Sequence, residues 1–254
     1  MKKVARDTVL VFQRCLWQSV HNPVWVFIGI FQPLLYLVLF GPLLKRVVEG
    51  QGFASHGAYN LFVPGLLVQL ALFTSMFVGF TLIAELRAGV IERLQVTPIS
   101  RLALLLGRML RDLLTLGIQS AILVVAALPL GLHVQPAAAM WTFGLVLLLG
   151  ATFSATSYAL ALKLRSEDAL APVLNGVGMP LLLLSGILLP MTLAPVWLAR
   201  AADANPLLHI VDASRALFNG ELATATVLRG TTVALALAAV AVTVAARGFR
   251  KAAA

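Results

Sequence analysis

NLFVPGLLVQLALFTSMFVGFTLIAELRAGVIERLQVTPISR, residues 60–101, runs through 25 residues without a charge and then turns abruptly polar at Glu85. Crossing about 30 Å of hydrocarbon takes about 20 mostly apolar residues, so 60–83 reads as a membrane span. The polar stretch beyond it, with Glu85, Arg87, Glu92, Arg93 and Arg101 and with Pro98 near its end, cannot lie in hydrocarbon. Over 84–96, Leu86, Val90, Ile91 and Leu94 recur at helical spacing, with Glu85 and Glu92 on another stripe. Pro98 forces Thr97 out of helical geometry, and Ser100 is placed to cap the next helix. The stretch 84–100 is therefore expected to be a charged amphipathic helix held crosswise at the membrane surface between two spans.

The rest of the chain repeats the apolar theme. Of 254 residues, 60% are hydrophobic and 11% charged, where a soluble domain carries about a quarter charged residues. Apolar stretches at 24–44, 60–83, 102–131, 138–162, 169–190 and 225–246 predict an all-α integral membrane protein of six transmembrane helices in one domain. Pro172 and Pro180 interrupt the fifth, and Arg229 lies inside the start of the sixth. Of the 19 Lys and Arg residues, all but Lys45, Arg46, Arg200, Arg215 and Arg229 gather at one set of span ends, which the positive-inside rule places in the cytoplasm with both termini.

Two further segments fit neither span nor ordinary loop. In 1–22, Val4, Val9, Phe12, Leu16 and Val20 recur at helical spacing among Lys3, Arg6 and Arg14, which predicts a helix lying in the membrane interface. No small-residue cleavage site comes after the early lysines, so the mature chain is expected to start at Met1. The outer segment 191–224 is apolar yet broken by Pro195 and Pro206, and predicts two short helices, 194–203 and 207–218, dipping into the outer leaflet as a re-entrant cap.

Several chemistries find no support in the sequence. The net charge of +9 sits at span ends, where the membrane explains it and nucleic acid does not. The single cysteine, Cys15, permits no intrachain disulfide, and the four histidines lack metal-ligand spacing. All ten acids fall near span ends or in connections, so no titratable group stands at mid-span to drive a proton- or ion-coupled transporter. The phosphate loop G-x-x-x-x-G-K-[ST] does not occur. A membrane enzyme acting on a lipid-linked substrate remains the alternative of another class, although the only dense cluster of charge is 85–101.

That cluster also carries a resemblance. The pattern E-x-x-x-G-x-I-E-R-L-x-V-T-P-I-S-R from Glu85 to Arg101, with L-S-G-I-L-L-P-M at 184–191 and N-P-L-x-x-x-V-D-x-x-R at 205–215, resembles the permeases of ABC-2-type transporters, especially the daunorubicin-resistance and nodulation-export kind. The resemblance implies a permease dimer, here expected to be a homodimer, bound to two cytoplasmic ABC ATPase subunits in the cell (plasma or inner) membrane. ATP and Mg would then be held by the ATPase, with no cofactor on this chain. It implies that 84–100 is a coupling helix, with Glu85, Glu92, Arg93, Thr97 and Pro98 transmitting closure of the ATPase pair.

In such permeases the route lies at the dimer centre, lined by the second and fifth spans. Gln69, Phe73, Phe77 and Phe80 share a face of the second span, and Asn175 and Met179 a face of the fifth. Gln69, Phe73, Phe77, Asn175 and Met179 are the expected pathway residues. Such a lining suits outward transport of an amphiphilic drug, antibiotic or lipid-like molecule; a polysaccharide or glycoconjugate is the alternative cargo.

Overall fold

A computed structural model describes residues 2–21, 24–50, 57–90, 100–133, 135–187, 191 and 194–251. Ten α-helices lie among them: α1 (Lys2–His21), α2 (Val24–Gly50), α3 (Ala58–Met76), α4 (Val78–Arg87), α5 (Arg101–Ala127), α6 (Pro136–Leu164), α7 (Glu167–Leu183), α8 (Val196–Asp203), α9 (Pro206–Phe218) and α10 (Ala225–Lys251). A short 3-10 turn, Leu128–Leu130, extends α5. Helix is the expected outcome for apolar chain in a bilayer, because only helices and closed barrels satisfy every backbone donor and acceptor there.

Among the described residues, five segments are long and apolar enough to cross a membrane: Val26–Leu43, Ala58–Arg87, Leu102–Leu130, Pro136–Leu164 and Ala225–Gly248. They correspond to five of the six expected spans. The expected fifth, 169–190, is instead the 17-residue α7, which rises about 25 Å at 1.5 Å per residue. Pro172 and Pro180 lie inside α7 and do not end it. The chain leaves the helix at Leu184, the Ser185 hydroxyl bonds back to the Leu182 carbonyl at 2.5 Å, and Gly186 takes φ +70°.

At the centre, α6 packs against α3, α4, α5, α9 and α10. The core runs from Leu66, Leu67 and Leu70 of α3 through Leu145 and Leu149 of α6 to Ile210 and Leu217 of α9. In α10 the inward stripe is small, with Ala234, Ala238, Ala241 and Ala245 buried, while Leu228, Leu235, Val240 and Val244 stay exposed. Small residues let helix backbones approach closely where lipid offers no hydrophobic driving force. At Gly230 the approach leaves no room for a side chain, since a Cβ there would run into Ala213 Cβ and the His209 carbonyl. On α2, Ile30 and Leu37 face inward and Phe27, Phe31 and Val38 outward, an apolar outer face of the kind lipid covers.

Helix α1 packs on the start of α5. The stripe that makes this contact is Thr8, Val11 and Cys15, while Val9 and Val20 of the stripe expected to lie in the membrane interface are 50% and 64% exposed. The closest approach is at Gly107 of α5, where a Cβ would meet Val11 Cβ at 2.7 Å and the Thr8 carbonyl at 2.9 Å. At the same junction Ser100 caps α5, its hydroxyl accepting from Ala103 N at 3.1 Å and its own N–H donating to Asp7 Oδ2 at 3.3 Å.

The second span is not one straight helix. It breaks between Met76 and Val78, where Ser157 of α6 inserts its hydroxyl: Oγ donates to the Met76 carbonyl at 2.6 Å and accepts from Gly79 N at 2.9 Å. A side chain entering the helical ladder is a recognised cause of a kink.

Candidate functional site

Two ends of the bundle carry its polar organisation. At the basic end, where α1, α4, α5, α6 and α7 meet, charge is paired, buried on α5 and exposed between Arg87 and Glu167. Glu85 of α4 forms an ion pair with Arg108 of α5, whose side chain is 3% exposed. One turn along α5, Arg111 lies 3.2 Å from Asp112, and Tyr158 of α6 donates to Asp112 at 2.5 Å. Arg111 also donates to Ser19 of α1 at 3.4 Å, and Arg87 pairs with Glu167 at the start of α7 at 3.4 Å. Opposite charges stay buried because each neutralises its neighbour; removing one partner strands the other.

This network sits at the root of the segment expected to couple. The second span continues through Glu85 to Arg87, four residues beyond the expected boundary. It is then turned by Gly89 at φ +66°, with Ala88 N bonding the Ala84 carbonyl and Gly89 N the Leu86 carbonyl. The predicted continuous helix 84–96 is thus interrupted at 88–89, a left-handed glycine being a standard helix stop. Glu85 faces inward to Arg108. Glu92, Arg93, Thr97 and Pro98 lie outside the described residues.

The expected pathway residues are split. Phe73, Phe77 and Phe80 are half-buried and stacked, with centroids 6.3 and 5.8 Å apart, so the aromatic stripe continues across the break in the second span. Gln69 is 2% exposed within the bundle, on no open face. Asn175 bonds the Ala171 carbonyl of its own helix at 2.9 Å and is exposed, and Met179 is 47% exposed. On its other side α7 packs through Leu170, Leu174 and Gly178, the last placed where a Cβ would touch Met76 Sδ at 3.0 Å.

At the opposite end, α9 forms a buried cap. Asn205 caps it through Leu207 N at 3.0 Å and donates to the Leu181 carbonyl at 2.8 Å. Arg215 donates to the carbonyls of Leu61 (3.1 Å), Gly186 (2.7 Å) and Ile187 (3.2 Å), so the two outer sequence motifs interlock. Burial lowers its guanidinium to about 10, against the opposing pull of Asp212. Asn60, at the start of α3, donates to the carbonyls of His133 and Phe218 at 2.7 and 3.0 Å and accepts from His133 N at 3.1 Å. Composition alone does not single out Asn60, because its partners lie 73 and 158 residues away.

Five long apolar helices around a charged, interlocked basic end define a multi-pass membrane protein. The ABC-2 type transporter family matches residues 6–219, and the chain belongs to that family. It is 28% identical over 218 residues to a protein of Cyanophora paradoxa named as the transport permease ycf38, covering 84% of this chain and 74% of that one. A ycf38 protein of Pyropia yezoensis is 30% identical over 210 residues, 81% of this chain and 72% of its own. The daunorubicin resistance ABC transporter permease DrrB1 of Streptomyces coeruleorubidus is 28% identical over 214 residues, 81% of this chain and 74% of its own. Membership of this family implies partnership with an ABC ATPase.

Proposed function

We propose that the chain is the membrane subunit of an exporter that moves an amphiphilic drug, antibiotic or lipid-like molecule outward, driven by a separate ABC ATPase. The observation that carries this reading is the family match across 6–219, which contains all three sequence motifs. The cargo class draws support from the relative named for daunorubicin resistance and from the half-buried stack of Phe73, Phe77 and Phe80.

In this reading two copies form a homodimer and engage two ATPase subunits, which hold ATP and Mg. The basic end faces the cytoplasm of a cell membrane, as the positive-inside rule requires, and α1 lies in the interface. Helix α7 supplies the sixth crossing, its 17 residues meeting the lower end of the spanning range of about 17–25, while α8 and α9 form the re-entrant cap. The stretch 84–100 couples the ATPase: Glu92, Arg93, Thr97 and Pro98 meet it, and Glu85 passes the movement to α5 through Arg108. Asn175 and Met179 of α7 face the partner permease across the route with Phe73 and Phe77, and Gln69 joins them when the bundle opens.

Co-expression with a candidate ABC ATPase from the same genome tests the reading. Vesicles holding both chains should accumulate daunorubicin on ATP addition, and vesicles lacking either should not. ATP-independent uptake by the permease alone would contradict it.

A further inference from the structure

The break in the second span has a specific cause, and the two halves it separates share α6 and α7 as neighbours but carry different polar ties. Above it, α3 is buried along most of its length and tied to the cap by Asn60. Below it, α4 is tied to α5 by Glu85 and to α7 by Arg87. Between the two stands one side chain from another helix, Ser157, which bonds Met76 on one side of the break and Gly79 on the other. The site is built closely around that hydroxyl, since a Cβ on Gly79 would meet Ser157 Oγ at 2.6 Å and its carbonyl at 2.9 Å. Phe77, the residue at the break, has φ −91° and ψ −1° and stacks on Phe73 above and Phe80 below.

From this the geometry points to Ser157 as a positioning residue for energy transfer: its hydroxyl pins a hinge at Phe77, so that α4 moves as a lever against a fixed α3. The inference rests on the exporter reading for its purpose, though not for its geometry. A straight 30-residue helix would tilt as one piece and carry any push on 84–100 directly to the cap. A hinge held at its pivot instead confines the motion to α4 and to α7, which touches both sides of the break through Gly178 at Met76 and Leu170 beside Gly79. The hydroxyl suits this role because it both donates and accepts, replacing ladder bonds on the two sides of the pivot without locking either half to the other.

Spin labels on Ala84 of α4 and Met140 of α6, both on exposed positions, read the hinge directly. In the permease alone, the native chain should give one narrow distance distribution. Ser157→Ala should broaden it, and Ser157→Thr, which keeps a hydroxyl, should restore it. In the complex with the ATPase, ATP should shift the native distance, while Ser157→Ala should retain assembly and ATP turnover and lose about three- to tenfold of the shifted population, the scale of one buried hydrogen bond. A distribution in Ser157→Ala as narrow as the native one overturns the hinge assignment, as does an undiminished ATP-driven shift. Should the permease alone show the hydroxyl-dependent change while ATP moves nothing in the native complex, the pin stands and the exporter reading fails.

Discussion

Arg215, on α9, donates through one Nη2 to the carbonyls of both Gly186 and Ile187, at 2.7 and 3.2 Å, just where the chain has left α7. These carbonyls lie next to a helix end that no side chain of α7 satisfies, and a guanidinium is the group whose fixed fork meets several acceptors at once. The relationship joins the two outer motifs into one cap. Arg215→Ala removes the donor to three carbonyls, two of them buried, and should lower unfolding stability by about 2–4 kcal/mol, seen as a lower melting temperature in detergent. Arg215→Lys keeps charge without the fork and should recover less than half of that loss.

Asp212, beside it, titrates in a direction set by burial, which raises its carboxyl above the ordinary 3.8 while Arg215 and His209 oppose the rise. The folded chain therefore keeps this proton over a range where the unfolded chain has released it. Its contribution to stability is fully present below 3.8 and is lost as pH rises through the folded-state value. Asp212→Asn should remove that slope, which melting curves across the acid range will show. An unchanged slope would mean that Asp212 titrates as if exposed.

Glu85 and Arg108 form a pair in which the arginine is almost wholly buried. Arg108→Ala alone should cost about 3–5 kcal/mol because it leaves Glu85 uncompensated. Combining Glu85→Gln with Arg108→Met should cost clearly less than the sum of the single changes, a coupling that a double-mutant cycle of melting temperatures measures directly.

These two ends show how far the sequence could be read. Apolar length placed five spans within a few residues, since burial in lipid is a property of each segment by itself. The predicted helices 194–203 and 207–218 emerge as Val196–Asp203 and Pro206–Phe218, set by Pro195, the Asn205 cap and the Gly220 stop at φ +87°. What the sequence did not show depends on partners far along the chain. The break at Phe77 is bridged by Ser157, and the end of α7 is held by Gly186 with Arg215 rather than set by either proline in it. Periodicity marked Val9 and Val20 on the membrane-facing stripe of α1, and could not show that Gly107 opens a groove for Val11 on another face. For the site, Glu85 was legible as a charge and illegible as the inward half of an ion pair.

Cys15 reports on that α1–α5 contact. It is 7% exposed, and burial raises its thiol although Arg108 and Arg111 draw it down, so the nucleophilic thiolate is scarce. A water-soluble maleimide should label it in denaturant and not in the folded permease at neutral pH. Gly107→Ala forces a Cβ against Val11 and should make Cys15 react in the folded chain, with native Cys15 labelling as the opposing result.

In the proposed exporter, 84–100 receives the work of a partner ATPase. The most direct measurement compares ATP turnover by the partner ABC ATPase when reconstituted with the native permease, with Glu92→Ala and with Arg93→Ala, at matched amounts of folded protein. Loss of complex formation, or of the permease's effect on ATP turnover, in either variant is the predicted result. Unchanged assembly, turnover and transport in both would contradict the coupling role and leave the segment a topological turn.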